Sequence, residues 1–252
     1  MKCKINGNKM IETIESVLLK GKWNNGANNK SSILCPSVVI SVSETEVNVL
    51  NANPSTFVSN TIETIEVDNH KAGKFAIDSE ILLKYLPKED CIFQLKDNIF
   101  QLVSERKTVN LPILERHENN DSILFVKKNL DVSRDIKKDV IISEKTQLKT
   151  RIKVSSEELS NALSDCEAVG NSVFQLHYDG EQLNVSSSNG RELVKVKIEP
   201  IESIGDEACM EFSAPFYKYL NGLTTILSFN DESPLSVLSG KLKVLRAPRI
   251  EV

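Results

Sequence analysis

The chain repeats itself. "KFAIDSEILLKYLPKEDCIFQLKDNIFQLV", continuing to "KTVNLPIL", runs parallel to "MEFSAPFYKYLNGLTTILSFNDESPLSVL", continuing to "KLKVLRAPRI". Lys84-Tyr85-Leu86 stands where Lys218-Tyr219-Leu220 stands. Likewise "KINGNKMIETIESVLL…SVVISVSETEVNVL" parallels "RIKVSSEELSNAL…SVFQLHYDGEQLNV". The pattern divides the chain into two similar domains, residues 1–114 and 149–252, each of two strand–helix–hairpin units. A length of 252 residues agrees, at about 100–200 residues per domain. Between the domains, Glu115–Leu148 is polar, charged and outside the repeat, and reads as a long connector with room for an element of its own.

Most of the sequence reads as short strands, so the fold class is α+β. "SVVISVSETEVNVL" alternates apolar and polar residues around a Ser-Glu-Thr-Glu turn, a hairpin from Val38 to Leu50. "CIFQLKDNIFQLV" turns at Lys96-Asp97-Asn98, and "ILSFNDESPLSVL" near Asp231. "VFQLHYDGEQLNVSS" turns on Asp179-Gly180, a strong hairpin signal. Four short helices are predicted: Asn8 to about Lys20, Ser79 to Leu86 (stopped by Pro87), Ser155 to Cys166, and Pro215 to Leu220. The third opens on a Ser-Ser-Glu-Glu capping pattern and spaces Leu159, Ala162, Leu163 and Cys166 on one face. An insertion, Gly21–Ser32, is rich in Asn and Gly and reads as a surface loop, with Trp23 either pinning it to its own domain, the favoured reading, or anchoring a partner.

Chemistry is sparse. The net charge of −4 advertises no polyanion partner across the whole surface. Glycines form no phosphate cradle. His70, His117 and His177 stand alone, so neither metal nor cofactor is expected. Five scattered cysteines (Cys3, Cys35, Cys91, Cys166, Cys209) form no CxxC pair and read as buried thiols of a reducing compartment. "MKCKINGNKM" lacks an apolar signal region, and no stretch approaches about 20 apolar residues, so a soluble, non-exported protein is expected. The carboxylates fall in turns and on helix faces, and nothing pairs them for catalysis. The ending is the odd feature: Pro248 takes the chain out of its last strand, and Ile250 then asks for something to bind it.

Three stretches carry a family likeness: "LRAPRIE" (Leu245–Glu251), "NANPSTFVSNTI" (Asn51–Ile62) and "VSSEELSNALSDCEAVGNSVFQLHYDGEQLNVSSSNG" (Val154–Gly190). With the repeat, they resemble the sliding clamps of the proliferating-cell-nuclear-antigen type, the archaeal and eukaryotic DNA polymerase processivity factors. The resemblance spans nearly the whole chain except the two insertions. It implies two DNA-clamp domains per subunit, and three subunits closing a pseudo-sixfold ring around double-stranded DNA. It implies no enzymatic activity, and a nuclear protein if eukaryotic or a cytoplasmic one if archaeal. DNA polymerase, clamp loader, flap nuclease and ligase would dock by short peptides in an apolar pocket. By position that pocket is lined by Ala52, Thr56, Pro234, Leu245, Ala247, Pro248 and Ile250. Where the family has Met, His, an aromatic and Leu, this chain has Ala52, Thr56, Leu245 and Arg246. A shallower pocket with altered peptide preference follows.

The subunit-joining positions of the family fall on Lys107, Val109 and Leu111 at one edge, and on Val194, Val196 and Ile198 at another. The DNA-facing candidates are Lys9, Lys20, Lys22, Lys84, Lys88 and Lys218. Two positions basic in relatives are Asn161 and Ser164, beside Glu157, Glu158 and Asp165, so the lining is expected to be weakly positive at best. A homotrimer and a heterotrimer both fit, and the alternatives are a checkpoint-type or replicative heterotrimeric clamp, or a clamp-fold scaffold that does not encircle DNA. A third class, a small hydrolase or nuclease, lacks any acid/base or metal cluster to support it.

Overall fold

The computed structural model describes residues 1–22, 31–33, 36–53, 56–68, 73–96, 99–115, 134–138, 140–143, 146–170, 173–213 and 220–249. They belong to two compact units, Met1–Ile123 and Leu124–Val252. In chain order the first holds β1 (Lys2–Asn6), α1 (Gly7–Val17), β2 (Lys20–Lys22), β3 (Ser31–Ile33), β4 (Ser37–Val42), β5 (Glu46–Asn53), β6 (Thr56–Glu63) and β7 (Glu66–Asp68). There follow β8 (Gly73–Asp78), α2 (Ser79–Tyr85), β9 (Asp90–Lys96), β10 (Ile99–Val103) and β11 (Thr108–Pro112). The second holds β12 (Val140–Ser143), β13 (Thr146–Leu148), β14 (Thr150–Ser155), α3 (Ser156–Glu167), β15 (Val173–Tyr178), β16 (Leu183–Ser188) and β17 (Leu193–Ile198). It ends with β18 (Glu202–Ile204), β19 (Ala208–Ser213), β20 (Thr224–Phe229), β21 (Leu235–Ser239) and β22 (Leu242–Arg246).

Within each unit the two copies of the repeat exchange strands. β1 leaves its own hairpin and pairs with β9 of the second copy, Ile5 opposite Cys91, while β8 of the second copy pairs with β4 of the first, Ile40 opposite Phe75. The other unit does the same: β14 pairs with β20, Ile152 opposite Leu227, and β19 with β15, Leu176 opposite Met210. The first unit thus has a sheet ordered β11-β10-β9-β1-β7, and β8-β4-β5-β6 run side by side; the second has β17-β16-β15-β19, with β18-β14-β20-β21-β22 side by side.

The helices start where polar side chains can cap them. Asn6, Asp78 and Ser155 are extended N-caps whose side chains accept from the backbone N–H groups of Lys9, Ile81 and Glu158. Behind the caps, Met10, Ile14 and Val17 of α1 and Leu159, Leu163 and Cys166 of α3 are fully buried. Cross-strand aromatics fill the layer beneath: Phe100 lies 4.9 Å from both Phe75 and Phe93, and Phe174 stacks 5.5 Å from Phe212.

Turns follow side-chain chemistry. Asp179 Oδ1 accepts from the N–H groups of Glu181 (3.0 Å) and Gln182 (2.7 Å), and Gly180 takes φ +96°. Asn189 repeats the device between β16 and β17, accepting from Arg191 and Glu192, with Gly190 at φ +84°. The Gln182 and Glu181 N–H groups hold the Asp179 carboxyl below the usual carboxylate range.

Two expectations change. The first helix stops at Val17 rather than near Lys20, because Leu18 turns extended (φ −68°, ψ 123°). Lys20–Lys22 pairs instead with Ser31–Ile33, so both ends of the expected loop form a β-ribbon; Trp23 lies outside the described residues. The connector contributes the two-stranded β12–β13, with Val140 and Ile142 buried. The fourth expected helix, Pro215–Leu220, lies outside the described residues but for Leu220.

Candidate partner-docking and assembly surfaces

The chain end is tied to its own unit. From β22 it passes through exposed Ala247 and half-buried Pro248 to Arg249, whose N–H donates to the Glu211 carbonyl on β19 at 2.9 Å. The Arg249 guanidinium stands 4.0 Å from the Glu211 carboxylate, with both side chains about 40% exposed (41% and 37%). Such an exposed pair contributes little by itself. Arg246 does more. Its guanidinium donates to the Ser213 carbonyl at the end of β19, and burial holds it down at about 10, still charged at neutral pH. An equivalent tie closes the first unit, where Leu114 beyond β11 donates its N–H to the Ala76 carbonyl of β8 at 2.8 Å.

The expected pocket residues fall in both units. Leu245 is buried and Pro234 half-buried in the second unit, while Ile250 lies outside the described residues. In the first unit Ala52 and Thr56 are buried across the β5–β6 turn: Ala52 opposes Phe57, and the Thr56 N–H donates to Asn53 Oδ1 at 2.8 Å. Arg246, between two of these positions, is half-buried, which sequence reasoning missed.

The candidate DNA-facing lysines scatter. Lys9 is exposed on the first turn of α1, Lys84 on the last turn of α2, and Lys88 in the turn after it. Lys20 and Lys22 sit on β2 instead of a helix, and Lys218 lies outside the described residues. Lys84 Nζ stands 5.4 Å from the Tyr85 ring centre and Lys107 Nζ 5.9 Å, so one aromatic ring holds two cations from different expected surfaces. Carboxylates outnumber lysines on the helices: Glu12 and Glu15 on α1, Glu80 on α2, and Glu157, Glu158, Asp165 and Glu167 on α3, which has no basic residue.

The expected joining strands are both end strands. Among the described residues β11 pairs only with β10 in its sheet, with Leu111 buried, Val109 half-buried and Lys107 exposed just before it. β17 ends the sheet β17-β16-β15-β19; Ile198 is buried, Val194 and Val196 are half-buried, and Lys195, Lys197 and Leu193 are exposed. Elsewhere, His177 Nε2 lies 3.0 Å from Glu207 on an exposed face. No group of three or more His, Cys, Asp and Glu side chains among the described residues is placed to hold a metal ion. No helix among them is long and apolar enough to cross a membrane.

No family model matches the chain, and no curated protein matches it. Solved structures do. The chain is similar to PCNA from Thermococcus kodakaraensis (TM-score 0.68, 11% identity, 98% of this chain and 99% of that one). It is similar also to A. fulgidus PCNA, in a structure with the C-terminal region of FEN-1 bound (TM-score 0.70, 13% identity, 100% and 99%). The DNA polymerase III beta subunit from Thermotoga maritima matches with a TM-score of 0.71 and 11% identity over 100% of this chain and 66% of that one. The chain thus spans about two thirds of the length of that beta subunit.

Proposed function

We propose, from the sliding-clamp fold the chain shares with these structures, that it is a subunit of a ring that encircles duplex DNA and tethers replication and repair enzymes. The observation that carries this reading is the match along the full length of PCNA chains, 98–100% of this chain against 99% of each of theirs. The ring holds DNA by topology, so it needs only weak, sequence-independent phosphate contacts. The docking surface for partner peptides is the chain end and its neighbourhood, where Ala247 and Pro248 offer apolar atoms beside the half-buried cation of Arg246. The role is that of a scaffold without catalysis, and its partners are a polymerase, a clamp loader, a flap nuclease and a ligase.

The test is binding of a labelled peptide from the FEN-1 C-terminal region, followed by fluorescence anisotropy. Saturable binding is expected. A247E/P248E alters only the tail and should weaken it by about tenfold or more, about 1.4 kcal/mol. Binding indifferent to that change, or no binding, would count against the chain end as the docking surface.

A further inference from the structure

We propose that the second unit meets the phosphate backbone of duplex DNA on a lysine-rich patch, built where the connector turn at residues 134–138 is tied to the turn between β21 and β22. The inference rests on the clamp reading above for the identity of the polyanion. It moves the contact off the helix surfaces where the resemblance puts it.

The tie comes first. The Arg134 guanidinium donates to the Gly240 carbonyl at 3.2 Å, and Ile136 is buried two residues on. Asp135 shapes the turn: its Oδ1 accepts from the Lys137 N–H at 3.0 Å, and its carbonyl accepts from the Lys138 N–H at 3.0 Å. Lys137 and Lys138 are thereby held on the same side of the unit as Lys241 and Lys243. Arg134, Lys137, Lys138 and Lys243 are exposed, and Lys241 is half-buried. Lys243 stands between buried Leu242 and Val244, which turns it outward. Residues 134–138 and 239–243 thus gather five cations with one carboxylate, Asp135, in a chain whose net charge is −4.

The place of the patch matters as much as its charge. Thr225 Oγ1 donates to Ser239 Oγ at 3.0 Å and lies 2.8 Å from the Oγ of Ser156, the first residue of α3. The β21–β22 turn therefore stands at the start of that helix. α3 itself has no basic residue and exposes Glu157, Glu158 and Asp165. Those carboxylates repel phosphate, so a backbone contact in this unit falls on the turns. The chemistry then names the ligand. Lysines are mobile point charges, suited to phosphate contacts that carry no sequence information. Ile136 and Leu242, the apolar side chains of the two turns, are buried, so the patch offers charge without the exposed anchors by which a peptide docks.

The experiment is fluorescence anisotropy of a short labelled linear duplex over a salt series from about 0.03 to 0.15 M, with circular dichroism confirming that each variant folds. The wild type should bind saturably at about 0.03 M, with a log–log salt slope of about −4 for four to five phosphate contacts. That slope weakens binding about 600-fold by about 0.15 M. K137Q/K138Q/K243Q keeps Arg134 and its tie, and should flatten the slope by about 2 to 3. K74Q/K96Q/K195Q removes exposed lysines of β8, β9 and β17, and should leave the slope within about 1 of the wild type. No saturable binding by the wild type at about 0.03 M overturns the proposal, as does an equal change in both variants. Poly-L-glutamate that competes as well as the duplex, charge for charge, assigns the patch to an acidic peptide and overturns it too. The clamp reading survives each of these failures, because the FEN-1 peptide tests it separately.

Discussion

Burial decides what the cysteines can do. Cys3, Cys91 and Cys166 are buried and Cys209 half-buried, which raises the first three thiols from 9.0 to about 11, 12 and 11, and Cys209 in the same direction. The cause is chiefly desolvation of the thiolate. Alkylation by iodoacetamide at pH 8, read by intact mass, should therefore leave Cys3, Cys91 and Cys166 unmodified in the folded protein and label them in urea. The sign of the linkage follows. Folded thiols keep their protons where unfolded thiols lose them, so this contribution is complete below pH 9.0 and is lost as pH rises toward 11–12. The urea midpoint should fall from about pH 9 upward, and a Cys91→Ala chain should fall less steeply.

At the scale of elements, the start of α1 is packed against the exit from α2. The Asn8 N–H donates to the Lys88 carbonyl at 3.1 Å, and a Cβ on Gly7 would run into the Pro87 carbonyl oxygen. Gly7→Ala should consequently destabilise the first unit by about 1–3 kcal/mol, despite alanine's higher helix propensity, measured as a lowered urea midpoint. The second unit makes a similar contact at α3, Ser156 N–H to the Leu223 carbonyl at 3.1 Å. Much at this scale was legible. Ser155 and Glu158 announce α3, Asp179-Gly180 announces its hairpin, and the family resemblance points to the segments that form β11 and β17. The end of α1 was not, because Leu18 and Leu19 prolong the apolar run yet are buried as extended chain. Nothing at the break, neither Gly nor Pro, signals the change. The tie from Arg249 to Glu211 was equally hidden, since backbone groups make it. For the candidate surfaces, the resemblance pointed to the strands and the tail, but the partial burial of Arg246 depends on packing that no local pattern encodes.

For the molecule as a whole, charge sets what DNA contact to expect. The chain carries −4 at neutral pH, and its described helices carry more carboxylates than lysines. Linear duplex DNA should therefore show no saturable binding to the free chain at about 0.15 M salt, where the screening length is about 8 Å. Anisotropy of a labelled duplex measures this. Tight binding of linear DNA by the chain alone would contradict the charge distribution. The exchange of strands between repeats bears on how the protein is made. Asn6 at the end of β1 meets Asp90 of β9 across 84 positions, and Ser156 meets Thr225 across 69. Neither unit can settle its sheets until the later copy of the repeat has been synthesised. During translation the opening strand is left with an unsatisfied edge, and slow non-local closure of this kind is exposed to mispairing. β1 leaves the ribosome well ahead of β9, so one of its two edges stays open until β9 follows.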